Sequence, residues 1–166
     1  ANPVKELEAL REKEIFSAVD KQIGGASTLS FDAQETLLEV VVSVKAPAKK
    51  GTIELKFGPN ALYYFLEQRQ LGDTPFLQNV KDKCIVHDKE DGRVDFHFFV
   101  DRATWELFVG NGSVYKIGSR KDIAAPVGKI SIGLNGGEGT VESMKVYKLK
   151  SIWPENVDTL TYFRGK

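Results

Sequence analysis

The stretch from Val94 to Tyr115, VDFHFFVDRATWELFVGNGSVY, constrains the fold more than any other part of the chain. Two strand-like runs, FHFFV and WELFV, flank the polar tetrad Asp101, Arg102, Ala103 and Thr104. A second turn, Gly110-Asn111-Gly112, leads into SVYKI. Alternating apolar residues, rich in β-branched and aromatic side chains and punctuated by Gly and Asn, are the signature of paired strands. Pairing Val100 with Trp105 sets Phe98 opposite Leu107 and Phe99 opposite Glu106. Side chains alternate between the faces of a strand. One face therefore reads Phe98, Val100, Trp105, Leu107 and Val109, which is core. The other reads His97, Phe99, Asp101, Glu106 and Phe108. It is half apolar and half ionisable, which suits a partly wet face that holds a ligand.

The rest of the chain has the same texture. Val4, Leu7 and Leu10 recur at helical spacing behind Pro3, so the spacing predicts a short helix within residues 4–14. Ile15–Val19 is a first strand, ended by Gly24-Gly25. Thr36–Lys45 is the longest β run, with Leu38, Val40, Val42 and Val44 on one face and Glu39 and Ser43 on the other. The Lys49-Lys50-Gly51 turn then returns Thr52–Phe57 antiparallel. Asn60–Arg69 has indecisive spacing, and its neighbours make it a strand. Leu71–Lys83 reads as loop, and 88–92 (DKEDG) as a charged hairpin loop. Cys84–His87 reads as a buried strand. Gly118–Pro126 is irregular, Lys129–Leu134 is a strand, and Thr140–Leu149 is the last long strand. Leu160, Tyr162 and Phe163 sit in a tail that can dock back.

About ten to twelve short strands with frequent turn signals and almost no helix predict an all-β, antiparallel two-sheet β-sandwich. The chain reads as one domain, residues 1–166, with 1–14 as linker or helix and 154–166 as tail. Lys plus Arg and Asp plus Glu balance at 23 each, so nothing suggests nucleic acid, which needs a basic surface. No apolar run is long enough to span a membrane. The single cysteine, Cys84, excludes an intramolecular disulfide and reads as a small core residue. His87 and His97 come without CxxC or HExxH, and the DKEDG loop lacks the ligand spacing of a calcium loop. No metal or cofactor is expected. The Asn135–Gly139 run precedes a strand rather than a helix, so it is a turn and not a phosphate cradle.

VDRATWELFVGNG resembles the VDRS-x-x-EVF-x-N-x-G hairpin in the C-terminal sandwich of family 32 glycoside hydrolases, the invertases, inulinases and levanases. Ala103 stands for the usual Ser, and Trp105 for a β-branched residue. PVKELEALR (3–11) is similar to the segment that leaves that family's catalytic propeller. GGEGTV (136–141) is similar to its GGEA-x-V turn, and LKSIW (149–153) to the stretch that closes the sandwich. The resemblance implies a jelly-roll or lectin-like topology. The family's propeller motifs, an NDPNG-type nucleophile, RDP and an EC acid/base, do not occur here. It therefore implies a non-enzymatic module, similar to family 66 carbohydrate-binding modules, that binds the terminal fructosyl unit of levan or inulin. Its partners would be fructan or fructose and a linked family 32 catalytic domain, in a secreted protein.

A fructosyl site needs carboxylates to accept hydroxyl hydrogen bonds, Arg as a forked donor, and an aromatic ring for the C–H side. Asp101, Arg102 and Glu106 surround one turn beside Trp105, and Arg69 is a further donor expected to converge on them. Asp32 and Glu35 are weaker candidates in the loop before the longest strand. Each has a plainer reading. Asp101 can cap its own turn, Arg102 can be a solvated tip, and Trp105 falls on the core face. Glu106 needs a partner if buried, and Arg69 or Arg102 can be a purely structural one. The alternative for the whole chain is a structural sandwich that buttresses a propeller or makes oligomer contacts.

Overall fold

The computed structural model describes residues 5–79, 84–86, 89 and 91–151. A 3₁₀ turn, Lys5–Leu10, comes first. Then follow β1 (Arg11–Gly24), β2 (Thr28–Ala33), β3 (Leu38–Lys45), β4 (Thr52–Phe57), β5 (Asn60–Phe65) and β6 (Gln70–Gly72). A second 3₁₀ turn, Leu77–Asn79, precedes β7 (Cys84–Ile85), β8 (Arg93–Val100), β9 (Thr104–Val109), β10 (Val114–Ser119), β11 (Gly128–Asn135) and β12 (Glu138–Leu149). Among the described residues they form two antiparallel six-stranded sheets, ordered β1-β12-β3-β8-β9-β10 (the hairpin sheet) and β2-β11-β4-β5-β6-β7.

The central hairpin has the expected register: Val100 pairs Trp105, Phe98 pairs Leu107 and Phe99 pairs Glu106. Leu38, Val40, Val42 and Val44 are all buried, as their shared face requires. Between the sheets, Phe57 packs on Phe98 and meets Trp105 edge-on, with ring centroids 5.3 and 5.2 Å apart. Offset and edge-on contacts are the favoured geometry for such rings.

Four local expectations are corrected. The N-terminal helix is only the 3₁₀ turn, and Arg11–Glu14 belong to β1, because β12 supplies a strand partner back to Arg11. β4 does not return on β3. It crosses to the other sheet and pairs with β11 and β5. Leu71 and Gly72 belong to the short strand β6, not to a loop. Cys84 lies on the edge strand β7 and is only partly buried, beside an exposed Ile85. Asn60–Arg69 is strand to Phe65 and turn thereafter. Pro3, His87, Trp153 and the tail lie outside the described residues, as do parts of the 88–92 loop.

The crossings from β3 to β4 and from β11 to β12 pack backbone on backbone. Gly51 sits at φ 98°, and a Cβ there would overlap the carbonyl of Asn135. Only glycine fits both the angle and the space. These crossings collect at one end of the sandwich, the glycine pole. The Asp101–Thr104 turn marks the opposite end, the hairpin pole.

Gly118 on β10 lies against the Trp105 indole, and a Cβ there would overlap its six-membered ring. Gly118→Ala is expected to lower stability by about 1–3 kcal/mol through overpacking. A shift of the urea midpoint with unchanged slope checks it, and a neutral result would mean that the indole moves freely.

Candidate functional site

The outer surface of the hairpin sheet is a grid set by strand register. One row runs Tyr147, Glu39, Phe99, Glu106, Ile117 across β12, β3, β8, β9 and β10. The next runs Lys145, Val41, His97, Phe108, Tyr115. A third places Ser43 opposite Asp95. Rings and carboxylates thus alternate along the first row as far as Glu106, and the second row sets three rings side by side from His97 to Tyr115. Phe99 meets Phe108 edge-on at 6.5 Å, and Phe108 meets Tyr115 at 5.0 Å.

Glu39 is the surprise of this face. It points outward from β3, yet it is 0% exposed. Arg11 binds it with both prongs: Nε donates to Oε2 at 2.6 Å and Nη2 to Oε1 at 2.7 Å. His97 Nε2 lies 2.7 Å from Oε1. Burial pushes the Glu39 carboxyl up, but the hydrogen bonds from Arg11 and His97 outweigh it and hold the group below its ordinary value. The same bond raises the Arg11 guanidinium, which also lies 4.4 Å from the centre of the Tyr147 ring. An ionised carboxylate only accepts, so the His97 ring donates from Nε2.

This trio was not among the expected site residues. The one local signal is a lone carboxylate within LEVVV, and it does not say what covers that carboxylate.

Asp101 and Glu106 line one cleft of about 190 Å³ with Phe99, Leu7, Leu10 and Lys150. Glu106 pairs across the sheet with Phe99 and Ile117 and is partly exposed. The Tyr115 phenol is raised by partial desolvation and then by the Glu106 carboxylate, which shares a hydrogen bond with it. Asp101 caps its own turn: its Oδ1 accepts the Arg102 N–H at 2.6 Å. Arg102 lies on the exposed tip, in a shallow depression with Thr36 and Ile123. Glu35 stands at the same pole, in a depression with Glu12, Lys148 and Ser151, and its carboxylate accepts the Gln34 N–H. Asp32 lies on β2, not in a loop, and pairs with Lys129 of β11. Arg120, which sequence reasoning did not select, ties this pole together. It donates to the carbonyls of Thr36, Asp101 and Ala125 at 3.2, 3.0 and 2.7 Å.

Two expected members lie elsewhere. Trp105 is 9% exposed and its ring faces the core, as alternation dictates, so it offers no stacking surface on the outer face. Arg69 follows β5 in the other sheet, beside the Gly51 crossing at the glycine pole. The hairpin tip is at the opposite pole, so Arg69 does not converge on Glu106. Among the described residues, no group of three or more His, Cys, Asp or Glu is placed to hold a metal ion. No helix among them is long and apolar enough to cross a membrane.

Two six-stranded antiparallel sheets, with one outer face of interleaved rings and carboxylates, define a β-sandwich that carries its polar chemistry on a sheet face. It has the fold of the C-terminal β-sandwich of family 32 glycoside hydrolases. Exo-inulinase from Aspergillus awamori superposes with a TM-score of 0.66 at 19% identity, over 89% of this chain and 31% of its own. Fructan 1-exohydrolase IIa from Cichorium intybus gives 0.63 at 11%, over 90% and 37%. A family 32 beta-fructofuranosidase from Bombyx mori gives 0.61 at 14%, over 92% and 30%. In sequence, a fructan beta-fructosidase of Streptococcus mutans is 38% identical over 76 residues, which is 45% of this chain and 5% of that protein. The chain thus spans about a third of the solved structures and a small part of the curated relative. No family model matches the chain.

Proposed function

We propose that this chain is a non-catalytic module that binds fructosyl units of fructans such as levan and inulin and holds an attached family 32 catalytic domain on its substrate in a secreted enzyme. The observation that carries the reading is the cleft in which Asp101 and Glu106 stand beside the ring of Phe99. Carboxylates accept vicinal hydroxyls, and an aromatic edge covers the apolar side of a furanose. Arg102 and Glu35, at the same pole, would contact a longer chain. The likeness to fructan-acting enzymes supports the same ligand class. Affinity for one sugar unit is expected between about micromolar and millimolar, roughly 4–8 kcal/mol. Tethering and the many ends of a branched fructan multiply it.

Calorimetric titration with levan, inulin and free fructose tests this, with cellulose and xylan oligosaccharides as controls. Binding to fructans that fructose competes away is the expected result. Glu106→Ala should weaken it about ten- to a hundredfold, as loss of a charged hydrogen bond does, without moving the unfolding midpoint by more than the usual surface substitution.

A second reading is a structural sandwich that packs against a catalytic domain and has no ligand of its own. Tyr115 and Ile117, 45% and 58% exposed at the β10 edge of the same face, favour it. No binding to any fructan by the folded chain would establish it over the first.

A further inference from the structure

The Glu106 cleft is not alone on its face. A second, larger groove of about 400 Å³ lies next to it. Leu7 and Phe99 line both. The two are therefore neighbouring compartments of one trough, separated by a wall of one aliphatic and one aromatic side chain. The larger groove is polar where a neutral sugar needs it to be. Ser43, Asp95, His97 and Asn111 line it, with Phe108 as a second ring. Lys89 Nζ lies 3.2 Å from Asp95 Oδ2, which orients the carboxylate. Glu39 accepts from His97 Nε2 at 2.7 Å and fixes the orientation of the ring. Asn111 sits in the left-handed region at φ 53°, on the turn that borders the groove.

We infer that the outer face of the hairpin sheet holds two consecutive sugar subsites, the Glu106 cleft and the Asp95–His97–Asn111 groove, so that the module recognises a fructan disaccharide segment rather than a single fructosyl unit. The inference rests on the fructan-binding reading and deepens it. Glu106 pairs with Phe99, which lies two residues from His97 and four from Asp95 on β8, about 7 and 13 Å along a strand. The polar groups of the two compartments are thus spread over more than the length of one ring. The groove mixes an acceptor (Asp95) with groups that both donate and accept (Ser43 and Asn111). Hydroxyl-rich, uncharged ligands need this mixture. A phosphate or carboxylate would instead meet the like charge of Asp95.

The test is calorimetric titration of the 166-residue chain with fructose and with β-2,6- and β-2,1-linked fructose di- and trisaccharides. The disaccharide of the preferred linkage should bind about five- to tenfold more tightly than fructose, the yield of one or two further net hydrogen bonds. The trisaccharide should add less than about twofold. Asn111→Gly, which keeps the positive φ without strain, and Ser43→Ala should each bring the disaccharide-to-fructose ratio toward one, with thermal midpoints confirming the fold. Equal affinities for fructose and disaccharide, or a ratio unmoved by both variants, would overturn the two-subsite inference and leave the fructan-binding reading standing. No binding to any of these sugars would instead overturn that reading, and the inference with it.

Discussion

Replacing Arg11 with alanine will lower the stability of the sandwich by about 3 kcal/mol at pH 7. The variant leaves the Glu39 carboxylate, which is 0% exposed, with one hydrogen-bond partner where it had a bidentate arginine and an imidazole. A buried charge that loses its partner keeps its desolvation cost. The sign of the pH dependence follows from the lowered Glu39 carboxyl. Its folded-state value lies below the ordinary 4.5, so its contribution is fully present above that value and is lost as pH falls through the folded one. In Arg11→Ala the balance reverses: burial now dominates, and the carboxyl is easier to protonate in the folded state. The gap between wild type and variant should therefore narrow as pH falls toward about 4. Urea unfolding at pH 7 and pH 4 measures both numbers. Arg11→Lys should fall between, since an ammonium keeps the charge and loses the fork. A penalty near zero at pH 7, or one that ignores pH, would mean that Arg11 contributes only its guanidinium contact with the Tyr147 ring.

The Arg11–Glu39–His97 cluster also marks where local reading of the sequence stops. Alternation in LEVVV correctly sends Leu38 inward and Glu39 outward, and an outward glutamate reads as solvated. What buries it comes from 28 and 58 residues away. The 3₁₀ turn that precedes β1 brings Leu7 and Glu8 over the same face. No local pattern encodes that cover. The hairpin register, by contrast, was legible to the residue, because a one-residue slip would turn Phe98, Trp105 and Leu107 out into water.

The sheet that β4 joins is also set by distant partners. A strand, a glycine turn and another strand look the same whether the chain folds back within a sheet or crosses to the facing one. Only the partners of β4 on β11 and β5 decide it. That choice also sends Arg69 away from the site. Placing β5 beside the hairpin would have brought the two together, and placing it in the other sheet puts them at opposite poles. Glu106 and Asp101 needed no such knowledge, because one turn joins them. Both line the same cleft.

Trp105 separates the two kinds of evidence most sharply, because an aromatic beside Asp101, Arg102 and Glu106 looks like a sugar platform by proximity and like core by alternation. Its ring meets Phe57 edge-on at 5.2 Å and lies against Gly118. Trp105→Ala is therefore expected to destabilise the fold by about 3–5 kcal/mol, the cost of emptying a large aromatic site in a packed core. Trp105→Phe keeps part of the contact with Phe57 and should lose less. It is the informative variant for function. With the outer row of Phe99, Glu106 and Ile117 undisturbed, its affinity for levan should stay within about twofold of wild type, a difference of about 0.4 kcal/mol. Urea midpoints and levan titration on the same preparations give both quantities. Loss of levan binding by Trp105→Phe at unchanged stability would turn the assignment over. The indole would then reach the ligand from the core side of β9, and the sugar would bind at the sheet edge beside β10 rather than on the outer face.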